Sequence, residues 1–227
     1  MQMNDAGGKI VAFGQARSDM RFPVIAEMQA YWEALRAGRL VPLRSEVDPR
    51  GIEQALENAF ILERIAPQVA RFRLAGTHLN DLMGMEVRGM PLTAFFTPSG
   101  RAEMAGHIEA VFKGPQTGDF TLTGEAGMGK PPIMARLLIL PLRSDLGDVT
   151  RALGCLVSDG HIGRAPRRFE LTSVRMGAIE AGKTVSPGTA TASAALPAAV
   201  SGLAEAPAPY RGETRQRTHL RLVKSDK

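Results

Sequence analysis

Residues 69–90, VARFRLAGTHLNDLMGMEVRGM, decide the fold. At the start of the stretch, Val69, Arg71 and Arg73 alternate with Ala70, Phe72 and Leu74. A period of two is that of a half-buried strand, here with the Phe72 set facing inward. Gly76 ends the strand, and Gly84 and Gly89 divide the remainder of the stretch into two short segments. A strand that runs at once into short helical turns with glycine corners is a poor start for a helix bundle. It suits a small curved sheet with a helical wall across one face, enclosing a space. The stretch holds no nucleophile, metal cluster or phosphate loop, so it points to sensing or interaction before catalysis.

Working outward, residues 60–65 read as extended, and Pro67 separates them from the Val69 strand to give a hairpin. Upstream, Asp48 is placed to cap a helix with Pro49 as its first residue, followed by Ile52, Ala55, Leu56 and Ala59 at helical spacing. The charges before it, Arg44, Glu46, Asp48 and Arg50, read as a solvated connector with an Arg–Asp tether between two helices. Further back, Asp19 can cap a helix carrying Phe22, Ile25, Met28, Trp32 and Leu35 on one face, with Gly38 as its stop. That apolar face needs a partner: the outside of the sheet, or a second subunit. Downstream, Ser99 caps a helix over residues 99–113 with Met104, Ile108, Val111 and Phe112 inward, ended by Gly114 and Pro115. Three extended segments come next, at residues 118–123, 132–141 and 151–158. They form an antiparallel meander turning at residues 125–129 and 145–148. The Val69 strand is expected beside the strand around Leu138.

Composition narrows the function classes. Apolar residues at 44% suffice for a core, and a net charge of +5 permits an acidic partner without demonstrating one. One cysteine, Cys155, excludes an internal disulfide framework and a cysteine metal cluster, and reads as a buried small hydrophobe. No long uncharged apolar run and no signal-peptide pattern is present, which makes a cytoplasmic protein without a transmembrane segment the default. The run from Gly124 to Lys130 has the spacing of a phosphate loop. Pro131 and Pro132 stand where the hydroxyl and the helix should begin, so it reads as a hairpin loop. Arg164, Arg167 and Arg168 precede a segment at 169–174 that is one more strand or a short ordered arm. From 182 to 209 the chain is mainly Ala, Pro, Gly, Ser and Thr, a linker composition. It leads to a basic tail with Arg211, Arg215, Arg217, Arg221, Lys224 and Lys227. No aromatic platform or recognition helix accompanies these charges, so nucleic acid is not the expected partner.

The order of elements, and specific residues, resemble the PAS family of sensory domains, and within it a group of small bacterial single-PAS proteins with an N-terminal helical extension. The resemblance covers roughly residues 31–158. It rests on Trp32 with Leu35-Arg-Ala-Gly-Arg, on Pro42, Arg44 and Asp48-Pro49, on Phe72-Arg-Leu-Ala-Gly-Thr, on Gly84 and Gly89, and on Leu153-Gly-Cys-Leu. It implies an α+β fold: a five-stranded antiparallel sheet facing short helices across a potential cavity, with an N-terminal helical extension. The expected division is a frayed N-terminus at 1–18, a helical extension at 19–66, the core at 67–158, a basic arm at 159–181, and a linker with a basic tail at 182–227. The implied role is a non-enzymatic sensory or regulatory adaptor that acts by contact with a regulatory or signalling protein, with a homodimer as a further expectation.

The resemblance leaves the cofactor unknown. Family members hold haem, flavin, a small metabolite or nothing. Flavin photochemistry needs a cysteine in a short helix, whereas residues 77–96 contain none; haem needs an axial ligand, for which His107 is the best-placed residue. A small ligand would be lined by Phe72, Leu74, Leu79, Met83, Phe95, Ile108, Leu138 and Leu140, which equally well fill a core. Phe22, Ile25, Met28, Trp32 and Leu35 are the expected interface. The alternative function is a small enzyme using His78, Asp81 and Glu86, whose spacings do not make a triad.

Overall fold

The computed structural model describes residues 21–182. The chain divides into two units, Met1–Thr189 and Ala190–Lys227. The Asp19 cap, the N-terminus at 1–18 and nearly all of the linker and basic tail lie outside the described residues.

Helix α1 spans Pro23–Arg36, with proline in its first turn, where a missing N–H costs nothing. It stops where Ala37 takes left-handed angles, followed by Gly38 at φ 80°. A 3-10 helix, Pro49–Ala55, succeeds the connector, and the Asp48 side chain accepts from the Arg50 N–H as its cap. The hairpin comes next: β1 (Ala59–Ala66) and β2 (Val69–Ala75) are antiparallel, joined through Pro67 and Gln68. Helix α2 (Thr77–Met83), a 3-10 turn at Leu92–Phe95 and helix α3 (Gly100–Lys113) form the wall. Strands β3 (Gln116–Gly124), β4 (Met134–Arg143), β5 (Val149–Asp159) and β6 (Phe169–Ala178) complete the chain as described.

These strands form a single antiparallel sheet in the order β2-β1-β5-β4-β3-β6. The α+β architecture with its N-terminal helical extension is the expected one, and a sixth strand enlarges the sheet. Of the two readings open for residues 169–174 the strand is the one observed, and one placement, that of the Val69 strand, differs from expectation. Residues 169–178 are a full strand, paired with β3 along its length. Strand β2 lies at the edge beside β1, and β1 and β5 separate it from β4 and Leu138. The tight 66–69 turn makes β2 the outer partner of β1, and the other edge of β1 takes β5.

Each strand sends alternate residues to opposite faces. The inner face, with Phe60, Leu62, Phe72, Phe120, Leu137, Ile139 and Leu156, packs under α2 and α3. The outer face, with Ile61, Leu138, Leu140, Leu153 and Cys155, is covered by α1 through Phe22, Ile25, Met28 and Trp32. Trp32 Nε1 donates to the Pro141 carbonyl at 2.9 Å, which pins α1 to β4. Gly154 is required by close approach: a Cβ there would stand 2.1 Å from the Phe60 ring that crosses β5.

Candidate functional site

Five of the eight residues expected to line a cavity come together. Phe72, Leu79, Met83, Phe95 and Ile108 are all buried in the inner cluster. Aromatic rings meet among them. Phe60 meets Phe72 edge-on at 5.3 Å between centroids, and Phe72 meets Phe95 at 5.4 Å. A planar cofactor would have to displace this stack.

The other three belong elsewhere. Leu138 and Leu140 face outward beneath α1. From Leu137 to Leu140 strand β4 is apolar on both faces, so that run carries no parity signal, and the register, with Phe120 opposite Leu137, shows which residues turn in. Leu74 is 53% exposed. The β1–β2 register slips between Ile61 and Leu62: Ile61 opposes Leu74 and Leu62 opposes Phe72, so Arg73 is a bulge residue. A bulge shifts parity by one, which turns Leu74 outward.

The expected interface residues Phe22, Ile25, Met28 and Trp32 are buried within the single chain, and Leu35 is half-buried. Between the two possible partners of that face, the chain's own sheet is the one it covers. Arg36, fully buried, reinforces the docking. It pairs with Glu33 at 2.6 Å, donates to the Arg39 carbonyl at 2.7 Å and to the Glu180 carbonyl at 3.0 Å, and lies 5.7 Å from the Trp32 ring centroid. The connector is tied by Arg39–Glu46 at 2.8 Å and by Tyr31, whose hydroxyl accepts from the Asp48 N–H and donates to the Asp48 carbonyl. These contacts replace the expected Arg–Asp tether. The Arg39 hydrogen bond, helped by the Leu43 N–H, holds the Glu46 carboxyl below its usual range.

The polar candidates separate. His78 Nε2 lies 3.0 Å from Ser158 Oγ, a partner 80 residues away that sequence spacing could not reveal. Burial lowers the imidazole pKa, opposed by the charges of Asp81 and Glu57. Asp81 and Glu86 are exposed. His107 stands at the edge of α3, 5.6 Å from the Phe120 ring and 3.9 Å from Glu103. The Cys155 thiol points to the outer face beneath α1, and burial pushes it up to about 12. A thiol on that side cannot serve a ring held among Phe72, Phe95 and Ile108, so flavin adduct chemistry does not fit this chain. Among the described residues, no three His, Cys, Asp or Glu side chains gather as a metal site. Residues 124–130 form the β3–β4 hairpin loop, closed by paired hydrogen bonds between Gly127 and Lys130.

On the outer face beyond α1, two pockets open where β1 and β2 meet the connector. One, about 220 Å³, is lined by Val47, Ile52, Leu56, Ile61, Leu74 and Leu153, with Arg44 at its rim. The other, about 600 Å³, is lined by Arg44, Arg73, Arg88, Arg151, Leu74 and Leu146.

An antiparallel sheet whose inner face is walled by short helices, with a helix from the N-terminal side closing its outer face, is the architecture of a sensory domain. A family model described as PAS domain matches residues 20–157, and the chain belongs to that family. The fold and family are those of a non-enzymatic sensory or regulatory domain. No curated protein matches the chain. Among solved structures, the light state of the blue-light photoreceptor Aureochrome1 LOV is 15% identical, over 49% of this chain and 88% of that one, with a TM-score of 0.35. The dark structure of the same photoreceptor is 15% identical over 48% and 80%, with a TM-score of 0.34. A light-oxygen-voltage domain studied with a flavin analogue is 18% identical over 49% and 84%, at 0.34. Among the described residues, no helix is long and apolar enough to cross a membrane.

Proposed function

We propose that this PAS domain is a regulatory adaptor of the small bacterial single-PAS kind, working in the cytoplasm through contact with a signalling or regulatory protein. One contrast supports the reading. On the inner face Phe60, Phe72 and Phe95 are buried and meet in edge-on and tilted contacts, while large apolar side chains gather exposed at one end of the outer face. Leu56, Leu74 and Leu146 are 42%, 53% and 92% exposed and line the two adjoining pockets there. Apolar surface grouped in this way marks contact sites on soluble domains. The inner residues Phe72, Leu79, Met83, Phe95 and Ile108 are assigned to the sensing side, where a small apolar ligand would alter packing that reaches the outer face through β1 and β2.

Site-specific photocrosslinking in the source cells tests this. A crosslinker at Leu74 or Leu146 is expected to give a discrete protein adduct, and one at Met128, at least as exposed as either on the β3–β4 loop, is not. Equal adducts from all three positions, or none from Leu74 and Leu146, would overturn the reading.

A further inference from the structure

We infer that the paired pockets at the β1–β2 end of the outer face form a docking groove for an acidic, amphipathic segment of a partner protein. This deepens the contact role proposed above and rests on it. The two pockets share Arg44, Ile61 and Leu74, so they run into one another. Their chemistry changes along that line. The smaller is walled by the apolar side chains of Ile52, Leu56 and Leu153, and the larger carries four arginines at its rim.

Those arginines are under-neutralised. Arg73 and Arg151 share the single carboxylate of Glu63, and Asp145 is the remaining acid of the rim. Arg44 and Arg88 have no ion-pair partner among the described residues. Arg44 is half-buried and Arg88 exposed, and a guanidinium beside apolar surface is the kind of group that anchors carboxylates at interfaces, through paired N–H donors that lysine lacks. The bulge at Arg73 has a matching consequence. It removes Leu74 from the inner core and sets it opposite Ile61 on the floor of the groove. That outward turn exposes a leucine without adding to the core, and bulges re-aim side chains in this way at functional edges.

An apolar end followed by a cationic end matches a segment with one or two large apolar anchors next to Asp or Glu residues. Nucleic acid offers the charge without the anchor. The C-terminal residues of this chain, 210–227, carry six Arg and Lys against two acids, so the complementary segment comes from another molecule.

The test uses the full chain and a displayed library of random dodecapeptides, selected at low salt. Binders are expected to pair Asp or Glu with large apolar residues. A selected peptide should bind at least about tenfold more weakly to Leu74→Asp and to the double variant Arg44→Ala/Arg88→Ala, more than most interface residues contribute. Its affinity should also fall with salt. Both variants alter side chains outside the core clusters and are expected to melt with the wild type, which circular dichroism checks. Peptides without acidic bias, or acidic peptides bound equally by both variants, would overturn the groove while leaving the contact role standing on its crosslinks. Failure of the wild type to enrich any peptide would also overturn the groove, whereas loss of the Leu74 and Leu146 crosslinks is the separate result that would end the contact role.

Discussion

Replacing Trp32 is the sharpest test of how the outer face is built. The indole is fully buried, its N–H is bonded to the Pro141 carbonyl at 2.9 Å, and Arg36 lies beside its ring. Truncating a buried tryptophan to alanine costs about 3–5 kcal/mol through lost transfer energy and the cavity left behind. Leaving the Pro141 acceptor without its donor adds about 1 kcal/mol or more. Trp32→Ala should therefore lose about 4–6 kcal/mol, a large share of the roughly 5–15 kcal/mol that holds an ordinary domain together. Trp32→Phe keeps most of the volume and isolates the hydrogen bond, with an expected loss of about 1–3 kcal/mol. Urea melts followed by circular dichroism, at two widely separated protein concentrations, read both values. Because α1 covers the sheet of its own chain, the losses should not depend on concentration. Trp32 is the only tryptophan, so wild-type fluorescence should change together with the dichroism. A loss below about 0.5 kcal/mol, the range of ordinary surface substitutions, would show that α1 is not docked. A loss that grows on dilution would show that the face is shared between subunits.

Single sites carry the other expectations. Arg167 is buried and donates to the carbonyls of Ile162, Glu125 and Pro131, clamping the β3–β4 loop to the β5–β6 connection. Arg167→Met should cost about 3–5 kcal/mol in urea melts, because the carbonyls lose their cation together. A near-neutral result would mean that water replaces the guanidinium. His78 has a pKa depressed by burial, so below the ordinary value near 6.5 the unfolded chain takes up the proton before the folded one does. Stability should fall as pH drops from about 6.5 toward the lowered value, and His78→Gln should flatten that slope; an unchanged slope would remove His78 as its cause. Gly76 has no room for a side chain: a Cβ would stand 2.2 Å from the Glu57 carbonyl oxygen and 2.3 Å from that of Leu56. Backbone cannot yield as a side chain does, so Gly76→Ala should lose at least about 3 kcal/mol, and a melt within about 0.5 kcal/mol of wild type would refute that packing.

Much of the fold is legible because local signals agree. The Asp48-Pro49 start, the Pro67 turn and the glycines at 76, 84 and 114 stand where elements begin or end. The inner site is half legible, since Phe72, Leu79, Met83, Phe95 and Ile108 emerge from alternation and helical spacing. Parity is where the reading fails. A bulge at Arg73 is invisible in the alternation of Val69 to Leu74, and the run from Leu137 to Leu140 is apolar whichever face turns inward. Strand β6 is ambiguous for a different reason: its residues are mostly polar or small, and its order comes from backbone pairing with β3 rather than from an apolar stripe. The His78–Ser158 contact and the Arg167 clamp join distant segments and have no local signature.

The central claim is that this domain meets its partner through the outer β1–β2 cleft. Amide hydrogen exchange of the full chain, alone and saturated with the partner captured from Leu74, tests it most directly. Slowed exchange is expected in β2 around Leu74 and in the 144–148 turn, with α2 and the Leu92–Phe95 turn unchanged. Protection confined to α2 and the Leu92–Phe95 turn would contradict it, and would move the site of action to the inner face.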